Sequence, residues 1–425
     1  DEPRHGGGGG GDRSPDGCAG DDVMRIHSIR VKNFKSLQDV QIKDVHEFAV
    51  FIGANGTGKT TLIDVFGFLR DCLSGNARSA VQKRAGFAQL VSRGHEKETI
   101  EIELKVQLDF SENKSRLVTY ALGVGETGRK VQVRFERLSW KRGSYGRPFN
   151  FLDFKDGKGV AVVEGEGAFG DNVREEDLER DEETLDSPDI LALKALGNLK
   201  RFEAASQLRD LIEGWSVSDF HIEKARPEPD AAPAEHLNED GSNLALYAQY
   251  LAEDHRDVFS NLLEKMQDRV PGVAEVSPED TGDGRIALRF RDAAFDRGFL
   301  ARYVSDGTIK MFAYLALLAD PDPHPLLCIE EPENQLYPNL LPVLAEEIAS
   351  YAGVRSGGAQ VFVTTHSPDF LSHVPLESIY WLEKHHGFTT IHKAADDTML
   401  VNLVAEGQKP GWLWREGWFK GADPS

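Results

Sequence analysis

The sequence predicts an α/β protein with a mainly parallel core sheet, an antiparallel β lobe and a helical insertion. Three observations carry that class. Short apolar runs at Glu47–Ile52, Leu326–Ile329 and Gln360–Thr364 each stop at polar, loop-forming residues, as strands of a parallel sheet do at its working edge. Ile100, Ile102, Leu104, Val106, Leu108 and Phe110 occupy every second position, the signature of a half-buried strand. Two stretches of helical character, about 189–213 and 243–268, lie between the first apolar strand and the last two.

Along the chain, residues 1–23 include six consecutive glycines and almost no apolar residues, and are expected to be a disordered leader. Whether that leader is native, or whether Met24 is the start, stays open. An N-terminal lobe is expected over 24–170. It begins with a strand at Arg25–Val31, a hairpin partner at Val40–Ile42 and the apolar strand Glu47–Ile52. A helix over Thr60–Arg70 follows. Leu117–Val124 and Val131–Leu138 are expected as antiparallel neighbours of the alternating strand. Residues 171–295 are expected to form an acidic loop and a helical insertion. Within 171–189 there are ten acidic and two basic residues, the composition of a solvated loop, and Pro227–Pro233 reads as a linker between the two helices. A C-terminal lobe is expected over 296–425.

Composition narrows the function. Of 425 residues 40% are apolar, enough for a substantial core. A net charge of -21 argues against a surface that coats nucleic acid, while leaving a local basic groove open. Cys18, Cys72 and Cys328 are widely spaced, so neither a disulfide framework nor a zinc knuckle is expected, and a reducing cytoplasm fits. No run of 18 apolar residues exists to span a membrane, and no signal peptide is visible.

Two local strings carry chemistry. Gly53-Ala-Asn-Gly-Thr-Gly-Lys59-Thr60 matches the phosphate-binding pattern GxxxxGK[ST], between a strand and a helix. Gly53, Gly56 and Gly58 let backbone N–H groups wrap an anion, with Asn55, Thr57 and Thr61 beside them. Lys59 is expected at the β- and γ-phosphates and Thr60 at Mg²⁺. The second string, Leu326-Leu-Cys-Ile-Glu330-Glu331, is an apolar strand ending in two carboxylates. Neighbouring strand residues point opposite ways, so the two carboxylates can serve different purposes. Glu330 is placed to hold the metal, directly or through water, and Glu331 to polarise the attacking water.

Together with Tyr303-Val-Ser-Asp-Gly-Thr308, Ile329-Glu-Glu-Pro-Glu-Asn334 and Thr364-Thr-His-Ser-Pro368, the P-loop resembles the ABC-type ATPase class that includes the SMC and RecF proteins. Ser305 lies 26 residues before Glu331 and His366 lies 35 after it, the order and spacing of that class. Ile29-Arg-Val-Lys-Asn-Phe-Lys-Ser36 resembles its first strand. The resemblance is nearest to bacterial stand-alone ATPases related to the OLD family, many encoded in phage-defence loci. It covers about 24–75 and 296–385 well and the middle only loosely.

The resemblance implies ATP and Mg²⁺ as ligands and a working site shared by two copies, in a head-to-tail homodimer or a higher even-numbered oligomer. It makes Ser305, Asp306, Gly307 and Thr308 the signature that faces a partner's P-loop, and His366 the switch histidine that senses γ-phosphate. Lys35 and Ser36 match positions that touch nucleotide, and Glu333, Asn334 and Gln335 resemble the loop that communicates across the dimer. Gln89 is the best-placed candidate for the metal-binding glutamine loop. Glu330 departs from the Asp of transporter-type ATPases, as the stand-alone relatives do. Only 59 residues follow His366, too few for the Toprim nuclease domain of OLD proteins besides the last ATPase elements. A separately encoded effector such as a nuclease is therefore the expected partner. A RecF- or SMC-like enzyme of DNA repair or DNA clamping, and an ATP-locked scaffold without turnover, are the alternatives. Trp140–Arg147 mixes aromatic and basic residues and reads as a turn or a DNA contact, and Lys83, Arg84 and Arg93 are similarly ambiguous. Trp412, Trp414 and Trp418 read as packing on the body or as an anchor for a partner protein.

Overall fold

The structure, a computed structural model, describes residues 25–110, 114–140, 148–163, 178–354 and 359–422. The expected leader, most of the Trp140–Arg147 turn, Cys18 and the first part of the acidic run lie outside the described residues.

Six strands build the core sheet, in the spatial order Ser216–Ser218, Leu326–Glu330, Gln360–Thr365, Phe48–Ile52, Ile379–His385 and Phe388–Lys393. The first five run parallel and the last is antiparallel. Alternation explains why the central strands are apolar throughout. Ala49, Phe51, Cys328 and Phe362 join one hydrophobic cluster, whereas Phe48, Val50, Ile52, Leu327, Ile329, Val361 and Val363 join the other. A sheet buried on both faces needs side chains of this kind at every position. One face receives the helix Lys59–Ser74 and the antiparallel lobe beyond it. The opposite face receives the helices Asp306–Leu318 and Leu341–Val354.

The antiparallel lobe is an eight-stranded sheet in the order Leu37–Lys43, Ile26–Phe34, Ile100–Phe110, Lys114–Thr127, Lys130–Trp140, Phe149–Lys155, Lys158–Val162 and Arg180–Thr184. The strand Ile100–Phe110 buries its six apolar residues and leaves the intervening ones half-buried or exposed. Gln360 ties this sheet to the core: its amide accepts from Ile26 N at 2.7 Å and donates to Ile26 O at 2.9 Å.

The α/β class with a parallel core and an antiparallel lobe is thus the one observed, but the middle of the chain is more mixed than expected. The helical stretch 189–213 is two helices, Ala192–Leu196 and Glu203–Glu213, interrupted beyond Gly197. The stretch 243–268 breaks at His255 into Leu244–Asp254 and Arg256–Arg269. Residues read as acidic loop form the edge strand Arg180–Thr184, whose charged side chains suit an edge. Val273–Asp280, Ile286–Asp292 and Phe299–Leu300 form a small third sheet. Among the described residues, no helix is long and apolar enough to cross a membrane.

Candidate functional site

Four parallel strands end at one edge of the core sheet, and each delivers a chemical group there. The strand Phe48–Ile52 leads into the P-loop, Leu326–Glu330 into the acidic pair, Gln360–Thr365 into His366 and Ser216–Ser218 into Asp219. The strand carrying His366 lies between the P-loop strand and the acidic strand. That neighbourhood lets groups more than 270 residues apart in sequence face one space.

The P-loop is held in a conformation only glycine tolerates. Gly58 caps the helix Lys59–Ser74 with φ +109°, and a Cβ there would lie 2.5 Å from the Thr389 hydroxyl and 2.8 Å from that of Ser36. Gly53 has φ +153°, with the Leu382 carbonyl 2.5 Å from where its Cβ would be. Asn55, Gly56 and Thr60 are exposed, while Thr57 and Lys59 are buried and Gly58 and Thr61 are half-buried. Thr57 donates its hydroxyl to Ala54 O at 2.9 Å. Lys59 Nζ turns back to donate to Gly53 O at 2.8 Å and Ala54 O at 3.2 Å. Burial draws its ammonium down to about 8, against the pull of Glu331 and Glu333. An anionic phosphate would relieve both the burial cost and the borrowed carbonyl contacts.

The acidic pair divides as strand geometry requires. Glu330 ends the apolar strand, and burial pushes its carboxyl up to about 7, against a hydrogen bond from Thr60. Thr60, Glu330, Glu331, Asp219, Lys310 and Asn334 are among the residues lining a cleft of about 580 Å³, within the range of small-ligand sites. A hydroxyl and a carboxylate already within hydrogen-bond reach are hard oxygen donors, and they fit Mg²⁺. Glu331 has φ +40°, a strained conformation for a residue with a Cβ, and its N–H donates to Thr364 O at 2.9 Å. Its carboxylate is held on both sides. His366 Nε2 stands 3.2 Å from Oε1, and Asn334 Nδ2 donates to Oε2 at 3.0 Å. Burial and then Lys59 hold His366 below the ordinary histidine range, so the ring is neutral at pH 7 and donates its Nε2–H to Glu331.

Glu333 supports this arrangement from behind. It accepts from the Thr365 hydroxyl at 2.9 Å and from the His366 N–H, which fixes the backbone that presents the imidazole. Lys310 Nζ donates to Asn334 O at 2.6 Å and so anchors the segment carrying the second partner of Glu331.

The remaining candidates are placed unevenly. Lys35 pairs with Asp64 at 2.6 Å and lines, with Thr60 and Glu330, a second cleft beside the first. The Ser36 and Thr389 hydroxyls lie 2.9 Å apart, against Gly58. Gln89 is exposed on the one-turn helix Phe87–Leu90, accepts from Arg93 at 3.3 Å and does not line either cleft. Ser305, Asp306, Gly307 and Thr308 open the helix Asp306–Leu318. Ser305 is its N-cap, accepting from Thr308 N at 3.4 Å, and Asp306 pairs with Arg226. These four residues do not line the cleft of their own chain, and Ser305 is exposed beside Tyr303, itself 73% exposed.

Asp219, Lys310 and Thr389 were not anticipated. Asp219 has a signal in hindsight, since it follows a parallel strand at the working edge. Thr389 has none, because its hydroxyl reaches Thr57 O at 2.7 Å from 332 residues away. Lys83 and Arg84 pair with Asp71, and Arg84 also with Asp64, so these cations are committed within the chain. Trp414 is buried, whereas Trp412 and Trp418 are 44% and 37% exposed.

Residues 48–372 match the family described as "AAA domain, putative AbiEii toxin, Type IV TA system", well over half of the chain. The chain belongs to this AAA-domain family. Solved structures similar to this family member include an SMC head bound to the C-winged helix domain of ScpA (TM-score 0.49, 15% identity, 86% of this chain and 97% of that one). An SMC head domain from Thermotoga maritima gives a TM-score of 0.42 at 13% identity, with 87% and 98% covered. An SMC head with an extended coiled coil, bound to the C-terminal domain of ScpA derived from Pyrococcus furiosus, gives 0.47 at 13% identity, with 90% and 100% covered. The α/β class with a mainly parallel core sheet expected from the sequence is the one observed, with the strands that lead into the P-loop, His366 and the acidic pair side by side.

Proposed function

We propose that this AAA-domain protein hydrolyses ATP at an interface formed when two copies meet head to tail, and that it controls a separately encoded effector in anti-phage defence. The observation that carries the catalytic part is the clasp of the Glu331 carboxylate between His366 and Asn334 at the mouth of the P-loop cleft. In this reading Lys59 and the P-loop amides bind the β- and γ-phosphates. Thr60 and Glu330 hold Mg²⁺, which would neutralise phosphate charge. Glu331 accepts the proton of the attacking water, and neutral His366 orients the carboxylate through its Nε2–H.

The helix start at exposed Ser305 supports the shared interface, since a hydroxyl and backbone amides at a helix N-terminus suit a phosphate that their own chain does not bring to them. Residues 24–170 and 296–425 serve as the two ATPase lobes, with 171–295 inserted between them. The toxin–antitoxin wording of the family description and the resemblance to defence-locus ATPases support the defence role. Buried free thiols at Cys72 and Cys328 suit the cytoplasm.

The test is Glu331→Gln. It should keep ATP affinity within a few-fold while turnover falls by about 10²–10⁴-fold, the usual worth of a positioned base. Turnover at the wild-type rate would remove Glu331 from this role.

A further inference from the structure

The connection between the signature helix and the acidic strand reads Asp320-Pro-Asp-Pro-His324-Pro325. Proline at every second position fixes φ along the segment and leaves little freedom to lose when its side chains are used. Asp320 is 1% exposed, a costly place for a carboxylate. Its Oδ1 accepts from Asp322 N at 2.9 Å, and its Oδ2 lies 3.0 Å from Nδ1 of His236, which comes from the loop between the helices Ile222–Ala225 and Leu244–Asp254. His324 Nδ1 lies 3.0 Å from the Gly214 carbonyl, and a carbonyl only accepts, so Nδ1 carries the proton. In the neutral ring the lone pair is then on Nε2. That atom is buried and has no hydrogen-bond partner among the described residues.

His236, Asp320 and His324 each offer one ligand atom, and these atoms all lie within 4.8 Å of one another. The rings of the two histidines are 5.3 Å apart, centre to centre. We propose that His236, Asp320 and His324 form a Zn²⁺ site, separate from the nucleotide cleft, that staples the insertion to the link between the signature helix and the acidic strand. Two imidazoles and one carboxylate suit Zn²⁺ rather than the all-oxygen shells of Mg²⁺ or Ca²⁺. Gly214 supplies the backbone acceptor that metal-bound histidines usually have on the other ring nitrogen.

Zn–N bonds of about 2.0–2.1 Å require ligand atoms roughly 3.4 Å apart, so the cluster closes modestly around the ion. His236 makes that movement, because it is the exposed member and lies on a loop. Its Nδ1 proton, now directed at Asp320, moves to the solvent-facing Nε2, and water completes a tetrahedron on the open side. The ion then ties Asp320, which follows the helix begun by Ser305, to His324, which precedes the strand ended by Glu330.

The full chain, free of any affinity tag and of nucleotide, is titrated with Zn²⁺ against a chromogenic chelator and with Co²⁺ by visible absorption. We expect one tight equivalent, a tetrahedral Co²⁺ spectrum and a higher thermal midpoint with Zn²⁺. His236→Ala, on an exposed loop, and His324→Ala should each weaken binding by more than about 100-fold, beyond the cost of losing an outer-sphere partner. His385→Ala, in the separate Glu383 ion-pair cluster, should leave it unchanged. Circular dichroism checks that the variants fold. No tight equivalent in the wild type, or an equivalent retained by folded His236→Ala, overturns the proposal.

Discussion

Glu331 holds a left-handed backbone, and two side chains clasp its carboxylate beside the cleft. In the proposed mechanism His366 is the sensing group, since it lies beside Glu331 and in the field of Lys59. His366→Ala is expected to lower kcat by about 10²-fold or more while leaving KM for ATP nearly unchanged. Steady-state kinetics decide this, and a rise in KM with kcat intact would make His366 a binding group instead. At this scale much was legible. Glycines before a helix, paired acids after an apolar strand and a histidine after another are local strings, and the structure brings them to one sheet edge. Glu333 was read only as part of a loop, and its hold on Thr365 and the His366 N–H depends on a strand pairing that no local string displays. Gln89 was placed by position alone, and its side chain turns to Arg93 instead.

Elements in the middle of the chain rest on buried polar groups rather than on pattern. Glu136, fully buried on the strand Lys130–Trp140, accepts from Ala192 N at 2.5 Å, Leu193 N at 2.9 Å and the Tyr120 hydroxyl at 3.0 Å. It thus caps the helix Ala192–Leu196 from a strand of the antiparallel lobe. Burial pushes its carboxyl up to about 7, against those hydrogen bonds. Between about pH 4.5 and 7 the folded chain keeps a proton there that the unfolded chain has lost, so stability falls as pH rises through that window. The contribution is on the order of 3 kcal/mol. Glu136→Gln should therefore show a smaller drop in urea midpoint from pH 5 to pH 8 than the wild type, and an equal drop would place the proton elsewhere. The sequence pattern of Ile100–Phe110 announced a strand because its period is uninterrupted. The break at His255 was hidden because both flanking segments are helical, and only the 3D packing of Tyr250 and His255 marks the turn, with a 2.8 Å hydrogen bond between them.

For the whole molecule, the parallel sheet gathers the P-loop, the acidic pair and His366 at one edge, while Ser305 to Thr308, at the start of the helix Asp306–Leu318, do not line that cleft. Such a division is economical if a second copy supplies the missing signature, and an isologous pairing would complete two sites at once. Exposed Tyr303 and Tyr337 flank the helix start and offer the aromatic surface that interfaces favour. The most direct measurement is the solution mass of Glu331→Gln with and without Mg²⁺ and ATP. A chain of 47.1 kDa is expected to shift to twice that mass with ATP, and the added change Ser305→Arg should abolish the shift while ATP still binds. Glu331→Gln that binds ATP yet stays at the monomer mass would contradict a shared site.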